Sequence, residues 1–339
     1  MAVRVAINGF GRIGRAFLRA AWHDPEVEVV AINDLGDVNN LAYLLKYDSV
    51  YKRFPGQVSV EGADMLVGAK RIKVVGEKEP AKLPWRDLQI DVVVESTGFF
   101  TDYDKANAHV VAGAKHVVIS APVKNDSPLG TTVLMGLNEA KATACPVTSN
   151  ASCTTNSASP VIAILDEAIG IEKAILSTTH GYTASQALVD APSKKDMKEG
   201  RAAALNIVPT STGAAIAVTK AYPKLLGKFD GISLRVPVPA GSIADITFIA
   251  KRPTAAEEVN QILRAAAASP RWQGIFAASD EELVSSDIIG EPYASIADLG
   301  RTRVVDGTLV KVLAWYDNEM GYTHTLVRHV KEAGKFVGK

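Results

Sequence analysis

Cysteine is scarce in this chain, with two residues in 339. That excludes a disulfide framework and fits a reducing compartment. An excess of charge of either sign is missing too, since Lys plus Arg and Asp plus Glu both number 37. No field of one sign therefore draws the chain to nucleic acid or to an anionic membrane, and neither partner is expected. No apolar run approaches the roughly 20 residues that span a bilayer. Repeats, low-complexity tracts and flexible linkers are absent. The opening stretch, MAVRVAINGFGRIG, reads as a strand and turn rather than a leader, because glycines interrupt its short apolar run. A soluble cytoplasmic protein is expected. What is present is an ordinary globular balance, 47% hydrophobic and 22% charged, long enough for two domains.

The first half alternates short β-branched runs with helical patterns. Strands are read at 3–8, 27–33, 90–96, 116–120 and 146–149, and helices at 12–22 and 102–112. That β-α-β rhythm predicts a Rossmann-type, doubly wound parallel sheet covered on both faces. The second half carries longer alternating strands at 174–179, 231–238, 243–251 and 308–316, with helices near 213–221 and 254–268. This pattern predicts an α+β domain built on a mixed or antiparallel sheet. The expected boundaries are 1–151 for a dinucleotide-binding domain and 152–318 for a catalytic domain. A closing amphipathic helix over about 319–339 is expected to pack back on the first. Residues 182–206 show no period, and a loop of that length is usually functional or an interface element.

INGFGRIG sets Gly9, Gly11 and Gly14 at the spacing of a dinucleotide turn, directly after a strand and opening a helix. Gly9 permits the tight turn, Gly11 admits the backbone to a pyrophosphate, and Gly14 allows close helix–sheet packing. The helix N-terminus adds a positive dipole end. Asp34 follows Gly14 by 20 residues, where an acid accepts hydrogen bonds from ribose hydroxyls and repels a 2′-phosphate. Glu95-Ser96-Thr97-Gly98 and Ser120 end two further strands, on the edge where ligands of open parallel sheets lie.

Cys153 sits in SNASCTTNSASP, between a strand and an apolar run. A free cysteine is more often a small buried hydrophobe than a reactive thiol. A helix starting near Ser152 would favour the thiolate, although Pro160 demands that the helix be kinked. Of six histidines, His180 ends a strand and opens the long loop, which makes it the candidate base. His23, His109, His116, His324 and His329 read as surface or helix-face residues. Thr212 and Gly213 open a helix as a phosphate site would. Arg235, a lone charge in an apolar strand, needs an anionic partner if buried, either a ligand or a structural carboxylate. No metal site is expected.

AINGFGRIGR, INDL, LLKYDS, ESTGFF, AGAKHVVISAP, SNASCTTN, RAAALNIVPTSTGAA, RVPVP and WYDNEMGY together resemble, in order and across nearly the whole chain, the phosphorylating glyceraldehyde-3-phosphate dehydrogenase family. Erythrose-4-phosphate dehydrogenase is its near relative and shares these features. A nucleotide-binding regulator without turnover is the alternative of a different class. The resemblance implies NAD as cofactor, Cys153 as nucleophile and His180 as base and oxyanion donor. It further implies that Thr183 and Arg235 hold the substrate phosphate, and that Ser152, Thr154, Thr212 and Gly213 hold attacking inorganic phosphate. Asn318 would hold the nicotinamide carboxamide, with Tyr322 nearby. Asn8, Gly9, Gly11, Arg12, Ile13, Asp34, Lys78, Ser96, Thr97 and Ser120 would contact other parts of NAD. The loop 182–206 would form an interface of a homotetramer. Departures from the commonest pattern are Ser157 in place of a second cysteine, Ser185, Glu199, Lys78 and Met320.

Overall fold

The computed structural model describes residues 2–193 and 196–336. The chain divides into two compact units. One runs to residue 151 and resumes at 323, and the other covers 152–322. Among the described residues no helix is long and apolar enough to cross a membrane.

The first unit is a nine-stranded sheet among the described residues. Its order is Gly130–Thr132, Val147–Ser149, His116–Ile119, Val92–Glu95, Val3–Asn8, Val27–Asn33, Lys70–Val75, Asp64–Val67 and Val58–Glu61. The first seven pair in parallel and the last two antiparallel. Central strands rich in Val and Ile are buried along their length, as helices on both faces of a parallel sheet require. The helix Arg12–Ala21 buries Ala16, Phe17 and Leu18. Register puts Asn8 beside Asn33 on one side and Glu95 on the other, so three polar residues meet at the carboxyl ends of the central strands.

Several expectations for this unit need correction. The helix read over 102–112 is two short ones, Tyr103–Ala106 and Ala108–Val111, because a new turn opens at Asn107, whose carbonyl accepts from both Val110 and Val111 N–H. The strands from Val58 to Val75 escaped the sequence reading because they are short, charged and half exposed, without a clean alternation. The helix Val38–Lys46, capped by Asp37, was likewise not anticipated. The last helix spans Met320–Gly334, and residues 337–339 of the expected helix lie outside the described residues. From Thr323 on it belongs to the first unit, where Asn150 donates to the Thr325 hydroxyl and meets His329.

The second unit is a seven-stranded mixed sheet among the described residues. Its order is Val208–Ser211, Phe229–Val236, Ile171–Gly181, Ser242–Ala250, Leu309–Tyr316, Ser295–Val305 and Phe276–Ser279. The strict alternation of buried and half-buried residues along Ser242–Ala250 marks a sheet with one packed face. Helices Cys153–Ala168, Ala214–Ala221 and Ala256–Ala267 accompany it. The first is buried from Thr154 to Leu165 and runs through Pro160 without interruption. The strand Ser295–Val305 was missed because Gly300 and two arginines break its apolar pattern. Within 182–206, the Arg201–Asp190 ion pair and backbone bonds from Ala187, Ala191 and Ala203 tie the loop to itself. Lys194 and Lys195 of that loop lie outside the described residues.

Candidate active site

In the first unit a cleft of about 520 Å³ opens at the carboxyl ends of the strands. Asn8, Gly9, Gly11, Asp34, Lys78, Ser96 and Thr97 line it, as do Asn33, Leu35, Glu77, Pro80, Phe99 and Phe100, which the sequence did not single out. Each glycine of the turn has its own physical reason. Gly9 has φ +90 and a Cβ there would stand 2.7 Å from the Thr97 nitrogen. A Cβ on Gly14 would meet the Gly9 carbonyl at 2.2 Å, whereas one on Gly11 would meet nothing. Gly11, the N-cap, has no side chain to cap the helix and leaves its N-terminus open to a ligand.

Asp34 is held by the backbone on both oxygens: Phe10 N–H donates to Oδ2 at 2.7 Å and Gly36 N–H to Oδ1 at 2.8 Å. A carboxylate has about four lone-pair sites, so two remain for ribose hydroxyls. A glycine turn, an open helix N-terminus and a fixed acid together fit a dinucleotide. Arg12, Ile13 and Ser120 belong to the same unit but do not line the cleft. The Arg12 guanidinium is taken up by Asp48 at 2.7 Å.

The second unit carries the thiol. Ser152 caps the helix by accepting from Thr155 N–H, which puts Cys153 at its first position. Just before it, Ala151 has φ 55, a left-handed conformation that costs a non-glycine residue about 1 kcal/mol and is common at functional sites. Cys153 Sγ lies 3.3 Å from His180 Nε2, within reach of proton transfer. Parallel register sets His180 opposite Arg235, and antiparallel register sets Ser242 opposite Tyr316, so four strand ends converge. Tyr316, which the sequence reading passed over, bridges the Thr154 hydroxyl at 2.8 Å and the Thr178 hydroxyl at 2.7 Å, and its ring meets the His180 imidazole edge-on. Its one sequence signal is its place at the end of an alternating strand in WYDNEMGY.

His180 Nδ1 stands 2.6 Å from the Gly181 carbonyl and 2.6 Å from Arg235 Nη1. These contacts are not both hydrogen bonds at one time. With Nδ1 protonated, it donates to Gly181 and leaves Nε2 free to accept the thiol proton. With Nδ1 bare, it accepts from Arg235 and Nε2 carries its proton toward sulfur. Burial and then the Arg235 charge hold the imidazole down to about 3. The expectation of a thiolate favoured by the helix end is corrected. Cys153 keeps partial exposure, but the protein crowded around it raises the thiol above its ordinary 9.0, and Arg235 only draws it part of the way back. The nitrogen that faces the sulfur is His180 Nε2, which is an acceptor when Nδ1 carries the proton.

Arg235 is half-buried and contacts His180 and the Gly181 carbonyl, while its Nε has no hydrogen-bond partner among the described residues. Thr183 bonds Ser185 and Gln186. Thr212 accepts from Ala214 N–H, and Gly213 begins the helix with open space at its Cα. Asn318 accepts from Ser242, whose oxygen in turn accepts from Gly181 N–H. Tyr322 is buried. Of the remaining histidines, His23 is exposed and His109, His324 and His329 lie on helices, whereas the reading of His116 is corrected, since it begins a buried strand. His109, His116 and His329 are fully buried, a depth that a lone histidine in a sequence does not reveal.

A dinucleotide cleft on a parallel sheet, together with a thiol–imidazole pair at strand ends, defines a thiol-dependent, NAD-linked dehydrogenase. Residues 3–103 match the family described as "Glyceraldehyde 3-phosphate dehydrogenase, NAD binding domain", and residues 152–318 match "Glyceraldehyde 3-phosphate dehydrogenase, C-terminal domain". The chain is 49% identical to "Glyceraldehyde-3-phosphate dehydrogenase" of Mycobacterium avium, over 99% of each chain. It is 48% identical to "Glyceraldehyde-3-phosphate dehydrogenase 2" of Streptomyces arenae and to "Glyceraldehyde-3-phosphate dehydrogenase" of Geobacillus stearothermophilus, each over 96% of this chain and 97% of the relative. The chain belongs to the glyceraldehyde-3-phosphate dehydrogenase family.

Proposed function

We propose that the chain oxidises glyceraldehyde 3-phosphate to 1,3-bisphosphoglycerate with NAD and inorganic phosphate, through a thioester on Cys153. The observation that carries this reading is the 3.3 Å contact between Cys153 Sγ and His180 Nε2 beside Arg235. The anionic substrate draws the Arg235 guanidinium away from His180. Nδ1–H then donates to the Gly181 carbonyl, and Nε2 accepts the thiol proton. Sulfur adds to the aldehyde carbon, and the imidazolium Nε2–H donates to the oxyanion that forms. Bound NAD supplies the hydride acceptor that turns this hemithioacetal into a thioester. Phosphate oxygen then attacks the thioester carbon, the C–S bond breaks, and acyl phosphate leaves Cys153 as thiolate.

In this reading Asn8, Gly9, Gly11, Asp34, Lys78, Ser96 and Thr97 hold the cofactor, with Arg12, Ile13 and Ser120 around them. Asn318 and Tyr322 serve its nicotinamide end. Thr183 and Arg235 hold the substrate phosphate, and Ser152, Thr154, Thr212 and Gly213 hold the attacking one. A homotetramer is part of the proposal. Leu188, Val189, Met197, Leu205 and Ile207, on and beside the long loop, are more than two-thirds exposed, and such apolar surface calls for a cover.

Initial rates with glyceraldehyde 3-phosphate and erythrose 4-phosphate, with and without inorganic phosphate, test the reaction. The three-carbon aldehyde is expected to be the better substrate and phosphate to be required. Cys153→Ser is expected to abolish oxidation while leaving NAD binding intact, because a serine hydroxyl is a far weaker nucleophile near neutral pH. A preference for the four-carbon aldehyde, or an active serine variant, overturns the assignment.

A further inference from the structure

Beneath the cofactor cleft lies a buried polar chain that the reaction does not use. Trp85, His109 and Glu95 are at most 2% exposed, with Trp85 set in an apolar cluster. Trp85 Nε1–H donates to His109 Nδ1 at 3.0 Å. An indole nitrogen can only donate, so Nδ1 is an acceptor and the proton of this imidazole sits on Nε2. Nε2–H then donates to Glu95 Oε2 at 3.0 Å. The same carboxylate accepts from the Asn8 amide and, on its other oxygen, from the backbone N–H and hydroxyl of Thr97. Four donors thus converge on one buried carboxylate.

The directions continue outward without a break. Since Asn8 turns its NH₂ to Glu95, its carbonyl faces Asn33, whose NH₂ donates to it at 2.6 Å. Asn33 then presents both ends of its amide to Glu77, accepting from Glu77 N–H and donating to the Glu77 carbonyl, each at 2.9 Å. Thr97, having given its proton to Glu95, accepts from Phe99 N–H. Asn8, Asn33, Glu77, Thr97 and Phe99 all line the cleft. Parallel register brings Asn8, Asn33 and Glu95 together, but it leaves open which way each amide points.

We infer that Trp85 and His109 are positioning residues for cofactor binding. By fixing one imidazole tautomer they present a donor to Glu95, and Glu95 in turn sets the amides of Asn8 and Asn33 and the Thr97–Phe99 turn that form the cleft. The inference rests on the cleft's reading as the NAD site.

Calorimetric titration of NAD into the full chain tests it, with steady-state kinetics alongside. Trp85→Phe keeps the ring and loses only the donor. It is expected to weaken NAD about tenfold, the equivalent of one hydrogen bond of about 1.4 kcal/mol. His109→Leu and His109→Gln have similar volume, but only glutamine offers an acceptor to Trp85 and a donor to Glu95. Leucine is expected to weaken NAD by tenfold or more, and glutamine to stay within about threefold of the parent. The loss should fall on KM for NAD rather than on kcat at saturating NAD. Equal affinities for the Leu and Gln variants, or parental affinity in Trp85→Phe, overturn the inference. If His109→Leu does not fold, Trp85→Phe decides alone. Failure of the parent protein to bind NAD would instead defeat the reading of the cleft.

Discussion

Replacing His180 with asparagine removes the group that sits 3.3 Å from the Cys153 sulfur. The size of the effect follows from the thiol's surroundings. A thiol with its ordinary value of 9.0 is only about 1% ionised at pH 7, and burial raises Cys153 above that value. The thiol is therefore protonated at pH 7 with or without the imidazole, and what His180 contributes is acceptance of that proton as sulfur adds to the aldehyde. The expected loss is the 10²–10⁴-fold of a positioned acid–base, about 2.7–5.4 kcal/mol on the barrier. The pH dependence adds a second reading. In His180→Asn the proton must go to solvent, so higher pH produces more thiolate, and kcat/KM should climb about tenfold per pH unit from 7 up to the thiol's raised value. The parent, whose imidazole is neutral above about pH 3, should show no such slope between pH 7 and 8. Stopped-flow measurement of the acylation burst across this range is the assay. A loss of only a few fold at pH 7, or a loss independent of pH, would refute the role of His180 as base.

NAD should be preferred over NADP by at least roughly tenfold in kcat/KM, since about 1.4 kcal/mol of repulsion from Asp34 suffices. Leu35 beside it is exposed and offers a 2′-phosphate no hydrogen bond. Asp34→Ala should narrow that ratio and also cost stability, because Phe10 and Gly36 N–H lose their acceptor. An unchanged ratio by steady-state kinetics would move the discrimination elsewhere. Under peroxide, Cys153 should climb through sulfenic to higher acids while Cys145, buried and bonded to the Val147 carbonyl, stays reduced. Mass spectrometry showing a Cys145–Cys153 disulfide as the main product would refute this.

Local patterns carried much of this molecule in plain sight. The glycine spacing, Asp34 and the alternation of β-branched strands with helices are properties of the chain itself, because turn geometry and periodicity act within a few residues. Cys153, His180 and Arg235 could be singled out as types in context, at a helix start, at a strand end and inside an apolar strand. Their meeting could not, since it depends on register between strands more than fifty residues apart in sequence, as His180 and Arg235 are. The sense of the thiol's shift was misjudged for the same reason. A helix dipole is visible in a sequence, but the burial that outweighs it depends on which other segments close around the site. Tyr316 and the Trp85–His109–Glu95 chain belong to the same class. Each is an ordinary residue until packing excludes water, after which every buried donor and acceptor must find a partner, and only the tertiary structure determines which one it finds.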